Sequence, residues 1–303
     1  MSNLKVNIAG VEFKNPIITA SGTFGFGREF NNFYPLSDLG GICTKGLTLM
    51  PRDGNPAPRI AETKSGIINS VGLQNPGIDH YLATDDKWLA EQDTVVIANI
   101  AGASLDDYIA MGEKINESNA QMVELNISCP NVKAGGMAFG VLPASVEQVT
   151  RAVKDVCKKP VITKLSPNVS CIADNAKAAQ NGGADGISLI NTLSAMAVNY
   201  KTRKPILFNN NGGLSGACVK PVALKMVWDC YNAVDIPIIG LGGITSYTDV
   251  LEFMICGARA VQVGTYNFTE PMGASQIAKD LENYVKEQDM DINDLVGSLI
   301  LNK

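Results

Sequence analysis

Histidine is almost absent from this 303-residue chain, which contains only His80. Ser-His-Asp hydrolysis and histidine-based metal sites would therefore depend on a single residue. His80 follows the turn-like segment Asn75-Pro76-Gly77, and we interpret it as an ordinary surface or interface residue. The sequence thus disfavours histidine-dependent hydrolysis and histidine-based metal catalysis.

The chain also lacks paired cysteine motifs, long apolar runs and basic blocks. Its seven cysteines are never spaced C-x-x-C, which argues against a disulfide framework, a zinc knuckle or an iron-sulfur cluster within this chain. The sequence contains no run of about 18 apolar residues, so it predicts no membrane-spanning helix. The net charge is -5, and the sequence has no block of lysine and arginine of the kind that nucleic-acid binders carry. We expect a cytoplasmic protein with reduced thiols that binds neither membrane nor nucleic acid.

Short apolar runs alternate with segments of helical periodicity, a pattern typical of repeated βα units. Eight runs predict an α/β fold, a (β/α)₈ TIM barrel, in one domain over residues 1–303. We expect an N-terminal hairpin over Leu4 to Phe13 at the barrel bottom. Inserted strands are expected at the C-terminal face, within Gly46 to Gln92 and within Thr192 to Pro221, where Leu207-Phe208 and Leu214 to Gly216 would pair. The eight runs are Pro16 to Ala20, Gly41 to Thr44, Val95 to Ile100, Met122 to Ile127, Val161 to Leu165, Gly186 to Ile190, Ile236 to Leu241 and Ala260 to Val263.

Capping patterns predict where several helices begin and end. Ser104 precedes one amphipathic segment, Ser145 with Gln148 resembles a capping box, and Ser246 and Asp249 open another predicted helix. Gly183-Ala184 and Gly257-Ala258 each lead from a predicted helix into a predicted strand.

The carboxyl ends of the eight predicted strands all carry polar residues or glycine. In a TIM barrel these ends form the active site, so they predict a polar ligand; alternatively, the strands end in ordinary polar turns. A lysine in the barrel mouth implies an anionic or electron-rich partner such as a carboxylate or a reduced flavin, unless it extends to solvent from the rim. The residues are Ser21, Lys45, Asn99, Asn126, Lys164, Asn191, Gly242-Gly243 and Gly264-Thr265.

The glycines after the last two predicted strands indicate a phosphate site. Gly242-Gly243 precede Thr245-Ser246 at a predicted helix start, and Gly264-Thr265 follow the eighth strand. Glycine lets backbone N–H groups approach phosphate oxygens, and a helix N-terminus adds partial positive charge. As the simpler alternative, these glycines only form turns.

A cysteine between asparagines follows the fourth predicted strand, in Asn126-Ile127-Ser128-Cys129-Pro130-Asn131. The alternation of Val123, Leu125 and Ile127 buries one face of the strand and brings Asn126 to its carboxyl end. Cys129 is therefore a candidate acid/base residue on a strand-end loop; the alternative is a small buried hydrophobic residue.

Together these motifs resemble class 1 dihydroorotate dehydrogenases over essentially the whole chain. The resemblance rests on Asn126 to Asn131, Asn69-Ser70-Val71-Gly72-Leu73, Asn191-Thr192 and Gly240-Leu241-Gly242-Gly243. Segments 21–27, 73–77 and 202–205 resemble the NAD-dependent 1B catalytic subunit more than the fumarate-using 1A enzyme. The resemblance implies an FMN-containing barrel that oxidises dihydroorotate to orotate in pyrimidine biosynthesis. It also implies a homodimer that joins an iron-sulfur flavoprotein, which carries FAD and a 2Fe-2S cluster and passes electrons to NAD, into a heterotetramer.

The resemblance assigns roles by position. Cys129 would remove a proton from C5 of dihydroorotate while hydride leaves C6 for FMN. Substrate would contact Lys45, Asn69, Ser70, Val71, Gly72, Leu73, Asn126, Asn131, Asn191 and Thr192. FMN would contact Ser21, Lys45, Gly46, Asn99, Asn126, Lys164, Ile190 and Gly216, with its phosphate at Gly242, Gly243, Gly264 and Thr265.

Three alternatives remain open at this stage. A 1A enzyme would share the barrel, FMN and the cysteine but would need no partner. A tRNA dihydrouridine synthase is also a flavin barrel with a cysteine acid/base, although the acidic charge balance disfavours it. A flavin- or phosphate-binding module without activity is the third, because sites rather than folds determine function.

Overall fold

A computed structural model describes residues 3–127 and 140–302. Its strands are β1 (Val6–Ile8), β2 (Val11–Phe13), β3 (Ile17–Thr19), β4 (Gly41–Cys43), β5 (Ile60–Thr63), β6 (Gly66–Asn69), β7 (Val95–Ile100), β8 (Met122–Asn126), β9 (Val161–Lys164), β10 (Gly186–Leu189), β11 (Leu193–Ala195), β12 (Val198–Asn199), β13 (Lys204–Pro205), β14 (Gly212–Ser215), β15 (Ile238–Leu241) and β16 (Ala260–Val263). Its α-helices are α1 (Ile78–Ala83), α2 (Asp85–Leu89), α3 (Leu105–Lys114), α4 (Pro143–Val156), α5 (Ile172–Asn181), α6 (Lys220–Tyr231), α7 (Tyr247–Ile255), α8 (Tyr266–Thr269) and α9 (Gly273–Gln288).

Eight parallel strands close into a barrel in the order β3-β4-β7-β8-β9-β10-β15-β16, so the predicted (β/α)₈ fold is confirmed. Each barrel strand lies within one of the eight predicted runs. These strands are buried on both faces and mostly apolar, because one face packs in the barrel and the other packs beneath helices. One continuous core extends from Val6 to Ile292.

The predicted hairpin at the start of the chain is also confirmed. β1 pairs antiparallel with β2, and Ala9 and Gly10 have positive φ at the turn. Phe13 is fully buried, and a Cβ at Gly41 would lie 2.8 Å from its ring. Since Gly41 begins β4, the hairpin covers the amino-terminal end of the barrel.

The two insertions combine into one four-stranded antiparallel sheet in the order β11-β14-β6-β5. The predicted strand pair in the first insertion is β5 and β6. The predicted hairpin in the second was placed wrongly: β14 pairs with β11, whereas Leu207 lies in a small apolar cluster with Ala61 and Ile68 outside any strand. The conformation around Leu207 is decided by close packing against the inserted sheet. The local sequence pattern does not reveal this packing.

Two of the three predicted helix caps are confirmed. The Ser104 side chain accepts from the Asp107 amide, and Ser246 forms a capping box with Asp249. Ser145 is not a cap, because α4 begins one turn earlier, at Pro143 with Leu142 as its N-cap. Proline suits the first turn of a helix because it has no amide hydrogen to satisfy. Gly183 and Gly257 have positive φ between helix and strand, as predicted.

Candidate active site

A cavity of about 960 Å³ opens at the carboxyl ends of the barrel strands, beneath the inserted sheet. This volume is at the upper end for small-molecule sites, so it can contain a cofactor together with a substrate. Most of the predicted site residues line it. They are Ser21, Lys45, Gly46, Asn69, Ser70, Val71, Gly72, Leu73, Asn126, Lys164, Ile190, Asn191, Thr192, Gly216, Gly242, Gly243, Gly264 and Thr265.

Among the predicted site residues that the structure describes, Asn99 does not line the cavity. Asn99 is fully buried beneath its floor, where a Cβ at Gly46 would lie 2.8 Å from its Oδ1 atom. Cys129 and Asn131 lie outside the described residues. Their roles therefore stay predictions.

The loops after β15 and β16 offer backbone donors to a phosphate. No hydrogen bond within the described residues is donated by the amides of Gly243, Gly264 or Thr265. We call the loop residues Gly243, Gly264 and Thr265 the phosphate cradle. The hydroxyl of Thr265 also belongs to it and donates to the Ser215 hydroxyl at 2.8 Å. A phosphate needs such convergent N–H and O–H donors, so these residues fit the phosphate of a cofactor.

The start of α7 is less available to a phosphate than the sequence predicted. The carboxylate of Asp249 accepts from the amides of Thr245 and Ser246 at 2.8 and 2.9 Å. Lys220 in turn donates to Asp249 at 2.6 Å, and these contacts hold the pKa of the carboxyl below its ordinary value although burial opposes them. The first turn of α7 is therefore satisfied by the protein itself, and the glycine loops are the better phosphate donors.

Gly243 has no room for a side chain. Its φ is +78°, and a Cβ would lie 2.8 Å from both the backbone nitrogen and the Cβ of Lys220. Glycine is therefore required by backbone conformation and by the close approach of α6.

Lys164 is 4% exposed and forms an ion pair with Glu124, its Nζ lying 3.2 Å from Oε1. The sequence required a carboxylate or an electron-rich group to compensate a buried lysine, and the structure supplies the carboxylate. Burial alone would raise the pKa of Glu124, yet Lys164 and hydrogen-bond donors outweigh it and lower that pKa. Glu124 is therefore ionised in the barrel interior.

Lys45 differs from Lys164 because it forms no ion pair within the described part of the chain. Burial, and next the charge of Arg59, lower the pKa of its ammonium group. A cation without a counterion in a cavity is stabilised by an anionic ligand. Lys45 is thus suited to bind a substrate carboxylate.

The thiol of Cys43 lies beneath the site but is unsuited to catalysis. Cys43 is buried on β4, and its Sγ lies 3.3 Å from Glu124 Oε1. Burial, and then the negative charge of Glu124, raise its pKa well above the ordinary value. Since the thiolate is the basic form, Cys43 acts as a hydrogen-bond donor and not as a base.

The predicted substrate loop, Asn69 to Leu73, is fixed by asparagines from other segments. Asn55 donates to the backbone oxygen of Ser70 at 2.9 Å, and Asn209 donates to its hydroxyl at 3.1 Å. Gly72 and Leu73 have positive φ. The loop therefore has a defined shape above the cavity.

The sequence analysis missed Glu124 and Gln262. Both side chains point into the barrel, and Gln262 lines the cavity. The alternation that places Asn126 at the strand end also places Glu124 on the same face two residues earlier. That signal could have indicated an acidic residue beneath the cavity floor.

Neither a metal centre nor a membrane helix emerges from the described ranges. Over residues 3–127 and 140–302, no three histidine, cysteine, aspartate or glutamate side chains come together as metal ligands. The helices in these ranges are too short or too polar to cross a bilayer.

A parallel barrel with a phosphate cradle, two cavity lysines and a loop rich in amides defines a barrel enzyme that binds a phosphorylated cofactor and a small polar substrate. Comparison with known proteins narrows this class. A family profile described as "Dihydroorotate dehydrogenase" matches residues 3–285. The chain belongs to the dihydroorotate dehydrogenase family.

Its curated relatives include three proteins named "Dihydroorotate dehydrogenase B (NAD(+)), catalytic subunit". That of Alkaliphilus metalliredigens is 52% identical over 98% of this chain and 99% of its own length. Those of Petrotoga mobilis and Bacillus cytotoxicus are each 51% identical over 95% of this chain, covering 96% and 93% of their own lengths. The similarity thus includes the barrel and both insertions.

Proposed function

We propose that this chain is the catalytic subunit of an NAD-linked dihydroorotate dehydrogenase, which oxidises dihydroorotate to orotate in pyrimidine biosynthesis. The observation that carries the proposal is one cavity in which a phosphate cradle, Lys164 and Lys45 lie beneath the Asn69 to Leu73 loop. The relatives match this chain in sequence over nearly their full length, and their name specifies the reaction and the acceptor.

FMN fits the donors of this cavity. The amides of Gly243, Gly264 and Thr265, which donate to no group among the described residues, would bind its phosphate, and Lys164 would lie near its ring. The buried oxygen of Gln262, which has no hydrogen-bond partner in residues 3–127 and 140–302, offers an acceptor for a ring N–H group. When bound, FMN supplies the hydride acceptor. FAD, a 2Fe-2S cluster and the NAD site would belong to a partner iron-sulfur flavoprotein.

The residues of this chain would bind dihydroorotate and remove its proton. Lys45 would bind the carboxylate, and the amides of Asn69, Asn126, Asn191 and, outside the described residues, Asn131 would bind the ring. Cys129 would take the proton from C5 as hydride leaves C6 for the flavin, so that the substrate loses two protons and two electrons in all and gains the C5–C6 double bond. A positioned base contributes about 10²- to 10⁴-fold to such a step.

Anaerobic mixing tests the proposal. The purified chain is expected to be yellow and to bleach when dihydroorotate is added, with formation of orotate. NAD should then serve as acceptor only when the iron-sulfur flavoprotein is present, and fumarate should not serve. Efficient fumarate reduction by the chain alone would assign it to the 1A type, and failure to bleach would refute the dehydrogenase function. The homodimer and heterotetramer are tested by the mass of the copurified complex.

A further inference from the structure

Glu124 lies at the centre of a hydrogen-bonded cluster inside the barrel, and nothing in the proposed reaction yet uses it. Its side chain is fully buried on β8, two residues before Asn126. It accepts from groups on five other barrel strands. The donors are Cys43 at 3.3 Å, Asn99 at 2.7 Å, Lys164 at 3.2 Å, Ser188 at 2.8 Å and Gln262 at 2.7 Å.

Stability alone is a weak explanation for this arrangement. A buried ion pair costs much desolvation energy, and a well-packed apolar pair is often equally stable. Glu124 and Lys164 together contribute no net charge beneath the cavity. The pair therefore sets the local potential and the position of the lysine, which are properties that an apolar pair would not provide.

Glu124 also determines which way two amide side chains face. Gln262 and Asn99 both direct their NH₂ groups to the carboxylate, so their carbonyl oxygens must face elsewhere. Both oxygens, Gln262 Oε1 and Asn99 Oδ1, are buried and accept no hydrogen bond from the described residues. Gln262 lines the cavity, and Asn99 Oδ1 lies beneath Gly46, which lines it. These two oxygens can therefore accept hydrogen bonds from a ligand in the cavity.

We propose that Glu124 is a positioning residue that fixes Lys164 and the carbonyl oxygens of Gln262 and Asn99 beneath the flavin ring and neutralises the lysine charge there. This inference rests on the proposed function, since it assumes that FMN occupies the cavity. The carboxylate acts through its partners and does not itself contact the ring. Its removal should therefore change the properties of the flavin and not merely the stability of the fold.

Because Glu124 and Lys164 carry opposite charges, removing one charge or the other should shift the midpoint potential of bound FMN in opposite directions. Glu124→Gln adds one positive charge beneath the ring and should raise the midpoint potential of bound FMN, because reduction adds electrons. Lys164→Gln should lower it, and the double variant, which restores neutrality, should return toward wild type. Each single change should alter the relative affinity for reduced and oxidised FMN at least tenfold, which is about 30 mV for a two-electron couple. Unchanged potentials, or shifts of the same sign in both single variants, would overturn the proposal.

A matched pair of milder variants covers the case in which Glu124→Gln does not fold. Gln262 and Ser188 both donate to Glu124 Oε2, at 2.7 and 2.8 Å, but only Gln262 lines the cavity. Gln262→Met should raise the Kd of the apoprotein for FMN at least tenfold, whereas Ser188→Ala should change it less than about threefold. Equal effects of the two substitutions would contradict the orienting role.

These measurements separate the inference from the proposed function. Potentials can be measured by reductive titration with dithionite, which needs no dihydroorotate. A wild-type chain that binds no FMN, or whose FMN is not reduced by dihydroorotate, refutes the proposed function. A wild-type chain that passes both tests, with variants that leave potential and affinity unchanged, refutes only the role of Glu124.

Discussion

Gly243→Ala should weaken FMN binding through the backbone of the phosphate cradle. Its φ of +78° costs a residue with a Cβ about 1–2 kcal/mol. The new Cβ would also lie 2.8 Å from the backbone nitrogen of Lys220, so the loop must move. If about 2 kcal/mol is taken from the binding energy, the Kd rises about 30-fold. Fluorescence titration of the apoprotein with FMN measures this change.

Gly183→Ala provides the matched control. Gly183 has φ of +89°, but its nearest neighbour would be Lys154 Cγ at 3.7 Å, and it lies between α5 and β10 away from the cavity. Gly183→Ala therefore has the same conformational cost of positive φ as Gly243→Ala, but its new Cβ collides with no neighbour and lies near no ligand site. The melting temperature of the Gly183→Ala variant should fall, while its affinity for FMN stays at the wild-type value. Wild-type affinity in Gly243→Ala, or equal loss of affinity in both variants, would refute the phosphate cradle.

Three further predictions concern the base, the cavity lysine and a helix cap. Cys129→Ser should retain FMN but slow its reduction by dihydroorotate at least about 100-fold at neutral pH, with partial recovery as pH rises; near-normal reduction in rapid mixing would remove Cys129 from the role. Orotate affinity should fall as pH rises through the lowered pKa of Lys45, because only the ammonium form attracts the carboxylate; the pKa is lowered first by burial and then by Arg59. Calorimetric titration across pH should show this slope in wild type and lose it in Lys45→Met, and a slope that persists in the variant would contradict it. Ser246→Ala should cost about 1 kcal/mol of unfolding free energy because its cap is lost; Ser145→Ala, inside α4, should cost much less, and equal melting temperatures of the two would contradict the assignment of the caps.

The barrel strands could be predicted because their sequence pattern is local. Each strand is a short, mostly apolar run of residues whose burial on both faces follows from the fold itself. The Ser246 cap was predictable for the same reason, since a cap depends on neighbouring residues. The Ser145 prediction was wrong because Pro143 offered an earlier helix start. Local competition of this kind shifts a boundary without changing the architecture.

The pairing of the two insertions could not be predicted from local pattern. β6 and β14 are more than 140 residues apart in sequence, yet Asn69 lies opposite Gly213. Only tertiary packing selects that partner, and it excludes Leu207-Phe208 from the sheet. The candidate site residues at strand ends were more predictable, because barrel geometry brings all carboxyl ends to one face.

Two cysteines, Cys43 and Cys129, illustrate what sequence and structure each contribute. By type alone, Cys43 and Cys129 are equally plausible bases, and only the motif distinguishes Cys129. The structure excludes Cys43 independently, because its burial and the adjacent charge of Glu124 raise its pKa. The same carboxylate that suppresses this thiol pairs with Lys164. A single charge beneath the cavity therefore has two consequences: it raises the pKa of one cysteine, and it compensates the charge of a lysine that lines the cavity.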